Sequence, residues 1–166
     1  MSGKSRRGSA LVEFTFAGIP ILFTIISVIE ISRCMWTLET LSYAVTEGSR
    51  MAVVHGADCA LPPNSCSITV ASIAQRIADS AQGLLVTQMS VTLASAGVTV
   101  TCTPLSSCLS NSTSWSVAGN TAGTSVVISA VYPFQSPMAI FFPGLTNPTS
   151  WVTANLPASS QEPVQF

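Results

Sequence analysis

The residues with the clearest chemical meaning lie at the N-terminus. Gly8 follows three basic residues, and a carboxylate, Glu13, comes shortly after it inside an apolar run that extends to Ile29. The basic residues are Lys4, Arg6 and Arg7. Basic residues favour a cytoplasmic N-terminus, and the apolar run favours insertion into a bilayer. Because a charge at the centre of a membrane helix costs about 2.5–3.5 kcal/mol on insertion scales, we expect Glu13 to have a function.

This arrangement resembles the N-terminus of type IV prepilins, in particular those of the tight-adherence branch (Tad/Flp, type IVc). In those proteins a prepilin peptidase cuts after the glycine, and the mature chain has Glu and then Phe or Tyr at its fifth and sixth positions. A cut between Gly8 and Ser9 would make Ser9 the first residue, Glu13 the fifth and Phe14 the sixth. The resemblance implies that Glu13 and Phe14 act in assembly. The Glu13 carboxylate would neutralise the new Ser9 amine of its own chain or of a neighbouring subunit.

The rest of the chain resembles the TadE-like minor pilins, or pseudopilins. These have a Glu-Gly-Ala-Arg-like element in the long N-terminal helix, here Glu47-Gly48-Ser49-Arg50, with Ser49 in place of the usual alanine. A small domain with a late β segment and an aromatic–proline pair follows, here Val126 to Pro133. We expect Glu47, Gly48 and Arg50 to form a structural junction between the helix and the globular part. A contact with a neighbouring subunit is the alternative.

The resemblance implies a protein that assembles with, or primes, a Tad-type adhesive pilus. The implied partners are the prepilin peptidase, the major pilin, another minor pilin and the inner-membrane assembly platform, with membrane lipid around the helix before assembly. The implied location is the bacterial inner membrane with the C-terminal head outside the cytoplasm, followed by the pilus at the cell surface. The alternative is an uncleaved, signal-anchored periplasmic binding or adhesin domain. Cleavage after Gly8 discriminates between the two.

The cysteines indicate an oxidising compartment for the head. Four of the five, Cys59, Cys66, Cys102 and Cys108, lie in the predicted head, on the side that the basic residues predict to be outside, where disulfides are permitted. We predict the local pairs Cys59–Cys66 and Cys102–Cys108, although four cysteines allow three connectivities. Reduced cysteines packed as small hydrophobic side chains are the alternative. Cys34, near the end of the membrane helix, is expected to be unpaired.

Composition and motifs disfavour several classes of function. After Gly8 the chain has three arginines and no lysine, so it has no basic surface with which to bind nucleic acid. Gly-x-Ser-x-Gly, P-loop and HExxH motifs are all absent from the sequence. The cysteine spacings are wider than Cys-x-x-Cys, and His55 is the only histidine, which disfavours zinc. We therefore expect no enzyme, no catalytic residues, no metal and no cofactor.

Periodicity predicts an α+β protein in which a long N-terminal helix precedes a small head with one further helix and an antiparallel sheet. Residues 1–8 are interpreted as a prepilin leader, and 9–55 as the helix, membrane-spanning to about residue 31 and amphipathic beyond it. Residues 56–145 form the predicted extracytoplasmic head, and 146–166 a Pro/Ser/Thr-rich tail. The predicted elements of the head are a helix from Val70 to Leu85, a hairpin of Met89–Leu93 and Val98–Cys102, a surface loop from Pro104 to Thr124 around Trp115, and a strand from Ser125 to Tyr132 that Pro133 ends.

Overall fold

The computed structural model describes residues 7–60, 67–115, 119–136 and 153–165, which fall into two compact units divided between Trp36 and Thr37. The fold is α+β, as predicted. The helices are α1 (Arg7–Val53) and α2 (Val70–Ser80), with short 3₁₀ turns at Asp58–Ala60 and Leu105–Cys108. The strands are β1 (Ser90–Ser95), β2 (Val98–Cys102), β3 (Ser125–Gln135) and β4 (Thr153–Pro163).

The first unit contains the N-terminal part of α1, whose apolar side chains are exposed. Phe14 and Phe16, for example, are each 78% exposed. Within the described chain, α1 is long and apolar enough to cross a membrane, judged by length and composition. Its few hydroxyl groups bond to carbonyls one turn earlier, as Thr15 does to Leu11 and Thr24 does to Pro20, which satisfies these polar groups within the helix.

The second unit contains an antiparallel sheet with the strand order β2-β1-β3-β4. The hairpin of β1 and β2 turns at Ala96 and Gly97, which both have positive φ, 51° and 78°. Two successive residues of positive φ form a type I′ turn, whose twist matches that of the strands it connects. The hairpin therefore lies where the alternating pattern predicted it, with β1 displaced toward the turn.

β4 lies within the segment interpreted from sequence as a tail. It pairs with β3 along the whole strand, from Ser125↔Pro163 to Gln135↔Thr153. The sequence of β4 has few large apolar residues, so it gives a weak strand signal. Only Leu156 and Ala158 of the strand are buried. Its prolines are compatible with a strand because β4 is at the edge of the sheet, where a missing N–H can face solvent. The head therefore continues beyond residue 145.

Two predicted boundaries also differ from the structure. Pro133 does not end β3, which continues to Gln135. β1 reaches along β3 only to Val131, so Pro133 has a neighbouring strand on one side alone, where proline is tolerated. α2 ends at Ser80, five residues before the predicted end, and Gly83 follows with a φ of 82° in a turn.

The core of the second unit combines the C-terminal part of α1, α2 and one face of the sheet. Gly48 of α1 lies against Ile77 of α2 and close to Ile128 of β3. Fully buried residues come from all of these elements: Leu41, Ala44, Val45, Ile73, Ile77, Leu93 and Ile128. α2 begins at a side-chain cap, in which Thr69 Oγ1 accepts from the backbone N–H of Ser72.

Candidate assembly site

The predicted cleavage site lies at the beginning of α1. The backbone of Gly8 and Ser9 is already helical, and Glu13 and Phe14 follow in the same helix with exposed side chains. Positions four apart in a helix share a face, so the backbone of Ser9 is carried to the same side as Glu13. The spacing needed for a carboxylate to meet the amine of a mature N-terminus is present.

The surface around Glu13 is apolar. Leu11 is 70% exposed and Val12 is 52% exposed, and the exposed apolar surface continues along the helix as far as Trp36. Contiguous exposed apolar surface of this length marks a site of contact with lipid or with another protein. Glu13 is thus a carboxylate set in a surface that favours removal from water.

The element Glu47 to Arg50 lies in the second unit and connects α1 to α2. Glu47 Oε1 accepts a hydrogen bond from Arg50 Nη1 at 3.1 Å, and Glu47 Oε2 accepts one from Arg76 Nη2 at 2.6 Å. The Glu47 side chain is 11% exposed, whereas those of Arg50 and Arg76 are 67% and 53% exposed. Because both guanidinium groups are solvated, the contribution to stability is small. The Glu47–Arg76 pair joins α1 to α2 at this point.

Gly48 permits the close approach of the two helices. A Cβ atom at this position would lie 2.5 Å from Ile77 Cγ1 and 2.9 Å from Ile77 Cδ1. Ile77 is fully buried, so its side chain has little freedom to move away. A side chain at position 48 would therefore overlap with Ile77 at the closest approach of the two helices.

Ser49 connects α1 to β4. Its side chain is fully buried, and its hydroxyl donates to the Thr46 carbonyl at 2.9 Å. Ser160 Oγ of β4 lies 2.8 Å from Ser49 Oγ. Either hydroxyl can donate in this second contact, and Glu162 Oε1 of β4 lies 3.5 Å from Ser49 Oγ. The serine gives the last strand a polar anchor on the long helix.

The C-terminal end of α1 is held by residues that the sequence did not indicate. Trp115 Nε1 donates to the carbonyl of Ala52 at 3.1 Å, and the backbone N–H of Gln165 donates to the carbonyl of Val53 at 2.9 Å. These carbonyls belong to the last turn of α1, where carbonyl groups have no hydrogen-bond donors within the helix. The prediction of a surface loop around Trp115 is wrong for this residue, which is only 5% exposed. A lone tryptophan in a polar loop was the available signal.

Of the described cysteines, Cys59, Cys102 and Cys108 lie in the second unit, and Cys34 on α1 is free and partly exposed. Cys102 and Cys108 form a disulfide with a Cα–Cα distance of 5.6 Å, and both are buried. This bond connects the end of β2 to the following 3₁₀ turn. Cys59 is also disulfide-bonded, and Cys66, its predicted partner, lies outside the described residues.

The described part of the chain places no three His, Cys, Asp or Glu side chains where they could hold a metal ion. His55 Nδ1 lies 2.7 Å from the Met51 carbonyl, so the imidazole is engaged with its own helical turn.

Comparison with known families gives a match to the TadE-like protein family over residues 8–50. The matched segment begins at the proposed cleavage glycine and ends at Arg50, so it contains both Glu13 and the Glu47 to Arg50 element. The match confirms the predicted resemblance and supports a TadE-like protein of a Tad pilus system. The family and the apolar helix together suit a membrane-anchored pilus component. No curated protein and no solved structure matches the chain.

Proposed function

We propose that this chain is a minor pilin, or pseudopilin, that a prepilin peptidase cuts after Gly8 and that then joins or primes a Tad-type adhesive pilus. The observation that carries the proposal is the exposed apolar surface of α1 with Glu13 set into it, four residues after Ser9. The family match over residues 8–50 supports it independently. The cognate peptidase, the major pilin, another minor pilin and the inner-membrane platform are the proposed partners.

The energetics of α1 favour assembly in two stages. Before assembly, lipid covers the apolar side chains, and the Glu13 charge costs about 2.5–3.5 kcal/mol if it lies deep in the bilayer. The cut creates a positive amine at Ser9. When helices pack together, the Glu13 carboxylate of one subunit can pair with the Ser9 amine of another, which offsets the cost of both charges in the assembled state alone. The Glu13 carboxylate thus favours the packed helices over a single helix in the bilayer.

The head has a supporting role in this proposal, with no catalysis, metal or cofactor assigned to it. It holds the C-terminal part of α1 through Gly48, Ser49 and the Glu47–Arg76 ion pair. It thereby presents the rest of the chain outside the membrane while the N-terminal helix remains available to other subunits.

The test uses the only lysine of the chain, Lys4, which precedes Gly8. After a cut at Gly8 the only primary amine left is that of Ser9. We expect native protein extracted from membranes to take an amine-reactive label at Ser9 alone and to have the mass of residues 9–166. Gly8→Leu should block the cut, because the added side chain fills space next to the scissile bond, and the protein should keep its label at Lys4.

Gly3→Leu is the matched control, since it makes the same change in the same leader away from the cut, and processing should continue. A native protein that retains Lys4, or one cut beyond Ile29, would contradict the proposal. Retention of Lys4 with normal membrane insertion would instead support the uncleaved, signal-anchored domain.

A further inference from the structure

The two edges of the sheet differ in how they are protected. β4, at one edge, contains Pro157, Pro163 and the carboxylate of Glu162. Prolines and charges on an edge strand prevent the addition of another strand. β2, at the other edge, is Val98-Thr99-Val100-Thr101-Cys102, which contains neither a proline nor a charge. Among the described residues, one edge strand therefore carries residues that block pairing and the other does not.

The direction of the free backbone groups of β2 follows from the turn. In a two-residue hairpin the flanking residues, Ser95 and Val98, exchange backbone hydrogen bonds, and such pairs then alternate along the strands. Val98 and Val100 therefore direct their N–H and C=O groups at β1. Thr99 and Thr101 direct theirs away from the sheet, and no backbone partner for them is found in the described parts of the chain.

We propose that β2 pairs antiparallel with β2 of a second copy of this chain, about a two-fold axis at Val100. The two outward residues lie symmetrically on either side of Val100. In this register Thr99 therefore faces Thr101 of the second copy, Thr101 faces Thr99, and all four outward N–H and C=O groups of each strand are satisfied. The contact is isologous, as two-fold interfaces are, and would join two four-stranded sheets into one.

The chemistry of the strand favours a second copy as its occupant. An uncharged strand meets its own copy without like-charge repulsion, and threonine pairs directly opposite each other stabilise antiparallel strands. The type I′ turn fixes one end of β2, and the Cys102–Cys108 disulfide fixes the other. An edge that is already ordered loses little conformational entropy when it pairs. The inference depends on neither cleavage nor pilus assembly.

The test is spontaneous disulfide formation in the full-length chain in membranes, with Cys34→Ser in all variants. At the proposed axis Val100 faces Val100 of the second copy as a non-hydrogen-bonded pair, whose Cα atoms lie about 4.5 Å apart. This distance is within the range of a disulfide, so Val100→Cys should link two copies. Peptide mass mapping should locate the bond between the two introduced cysteines, with Cys102–Cys108 intact.

Val98→Cys is the matched control. It makes the same substitution on the same strand and the same face of the sheet, and Val98 is more exposed than Val100. In the proposed register, however, the two Val98 residues lie four positions apart, roughly 13 Å along the strand. Random collisions would favour the control, whereas the proposed pairing should make Val100→Cys link at least about tenfold more chain into dimers.

Thr99→Pro added to Val100→Cys removes one outward N–H without removing a bond to β1, and linkage should fall to the control level. Thermal unfolding of this variant establishes that the head remains folded. The proposal is overturned by any of three results: Val98→Cys links as well as Val100→Cys, Thr99→Pro in a folded head leaves linkage unchanged, or the cysteine introduced by Val100→Cys links to a different protein.

Discussion

Two parts of the same helix have opposite surfaces. Along residues 11–31 of α1 the large apolar side chains are mostly exposed, whereas Leu41, Val45 and Val53 are buried in the second unit. Both stretches are hydrophobic, so hydrophobicity alone does not distinguish them. The difference is the partner: the second stretch is covered by its own chain, and the first requires lipid or other subunits. Substitutions in the two stretches should therefore affect different properties, stability of the head in one and assembly in the other.

The largest effect on the stability of the head is expected from Gly48→Ala. The added Cβ would lie 2.5 Å from a side-chain carbon of the buried Ile77, and overpacking of this kind destabilises by about 1–3 kcal/mol. Urea unfolding of the detergent-solubilised full chain, followed by near-ultraviolet circular dichroism, measures the change.

Gly18→Ala makes the same substitution in the other stretch. Its Cβ would meet only the Phe14 ring, at 3.7 Å, which is an ordinary contact. Stability of the head should not fall, since alanine favours a helix interior by about 1 kcal/mol over glycine. Equal destabilisation by the two variants would remove the steric explanation for Gly48 and the contrast between the two stretches.

A smaller effect is expected from Ser49→Ala, which removes the buried hydroxyl of α1 that contacts β4. Ser160 loses its hydroxyl partner on α1, and a hydrogen bond of this kind contributes about 0.5–1.5 kcal/mol. Ser42→Ala is the control, because the exposed Ser42 hydroxyl bonds only to the Leu38 carbonyl of its own helix. The unfolding free energies of the two variants should differ by about 1 kcal/mol. If they do not differ, Ser160 finds another partner and the attachment of β4 to α1 does not depend on Ser49.

Local patterns predicted the parts of the molecule that depend on neighbours in sequence. The long helix, the hairpin and the Glu47 to Arg50 element all have such patterns, either a helical or a strand periodicity or a short motif. The attachment of β4 was missed because it depends on pairing with β3 and on contact with Ser49, and Ser49 is 111 positions before Ser160 in the chain. Small residues and prolines in β4 give little periodic signal.

The burial of Trp115 was missed for a similar reason. Its neighbours in sequence are serine, threonine and asparagine, which predict a surface loop. Its position depends on the carbonyl of Ala52, at the end of a helix far away in sequence. The role of Arg76 likewise depends on Glu47 in another element. The motifs indicated residues of α1 such as Glu47. Only the three-dimensional packing identified the residues elsewhere in the chain that contact α1, such as Trp115 and Arg76.

The smallest change in the stability of the head is expected from Glu13→Ala, which should affect assembly instead. Glu13 lies in the first unit, so the unfolding free energy of the head should be unchanged within error. Removal of a charge favours the bilayer, so membrane insertion should remain intact. Cleavage should also continue, because the peptidase is expected to recognise the glycine rather than the carboxylate.

Incorporation is the step that should fail with Glu13→Ala, because the Ser9 amine of a neighbouring subunit would have no carboxylate partner when helices pack. Mature protein should accumulate in the inner membrane while sheared surface pili decrease, and both are measured side by side at equal expression. Glu39→Ala removes an exposed carboxylate later in the same helix and should leave piliation normal. Normal piliation with Glu13→Ala would mean that the charge is incidental, since packing of an exposed apolar helix would then suffice for assembly. Equal loss with Glu39→Ala would instead attribute the defect to net charge rather than to the position of Glu13 beside the new amine.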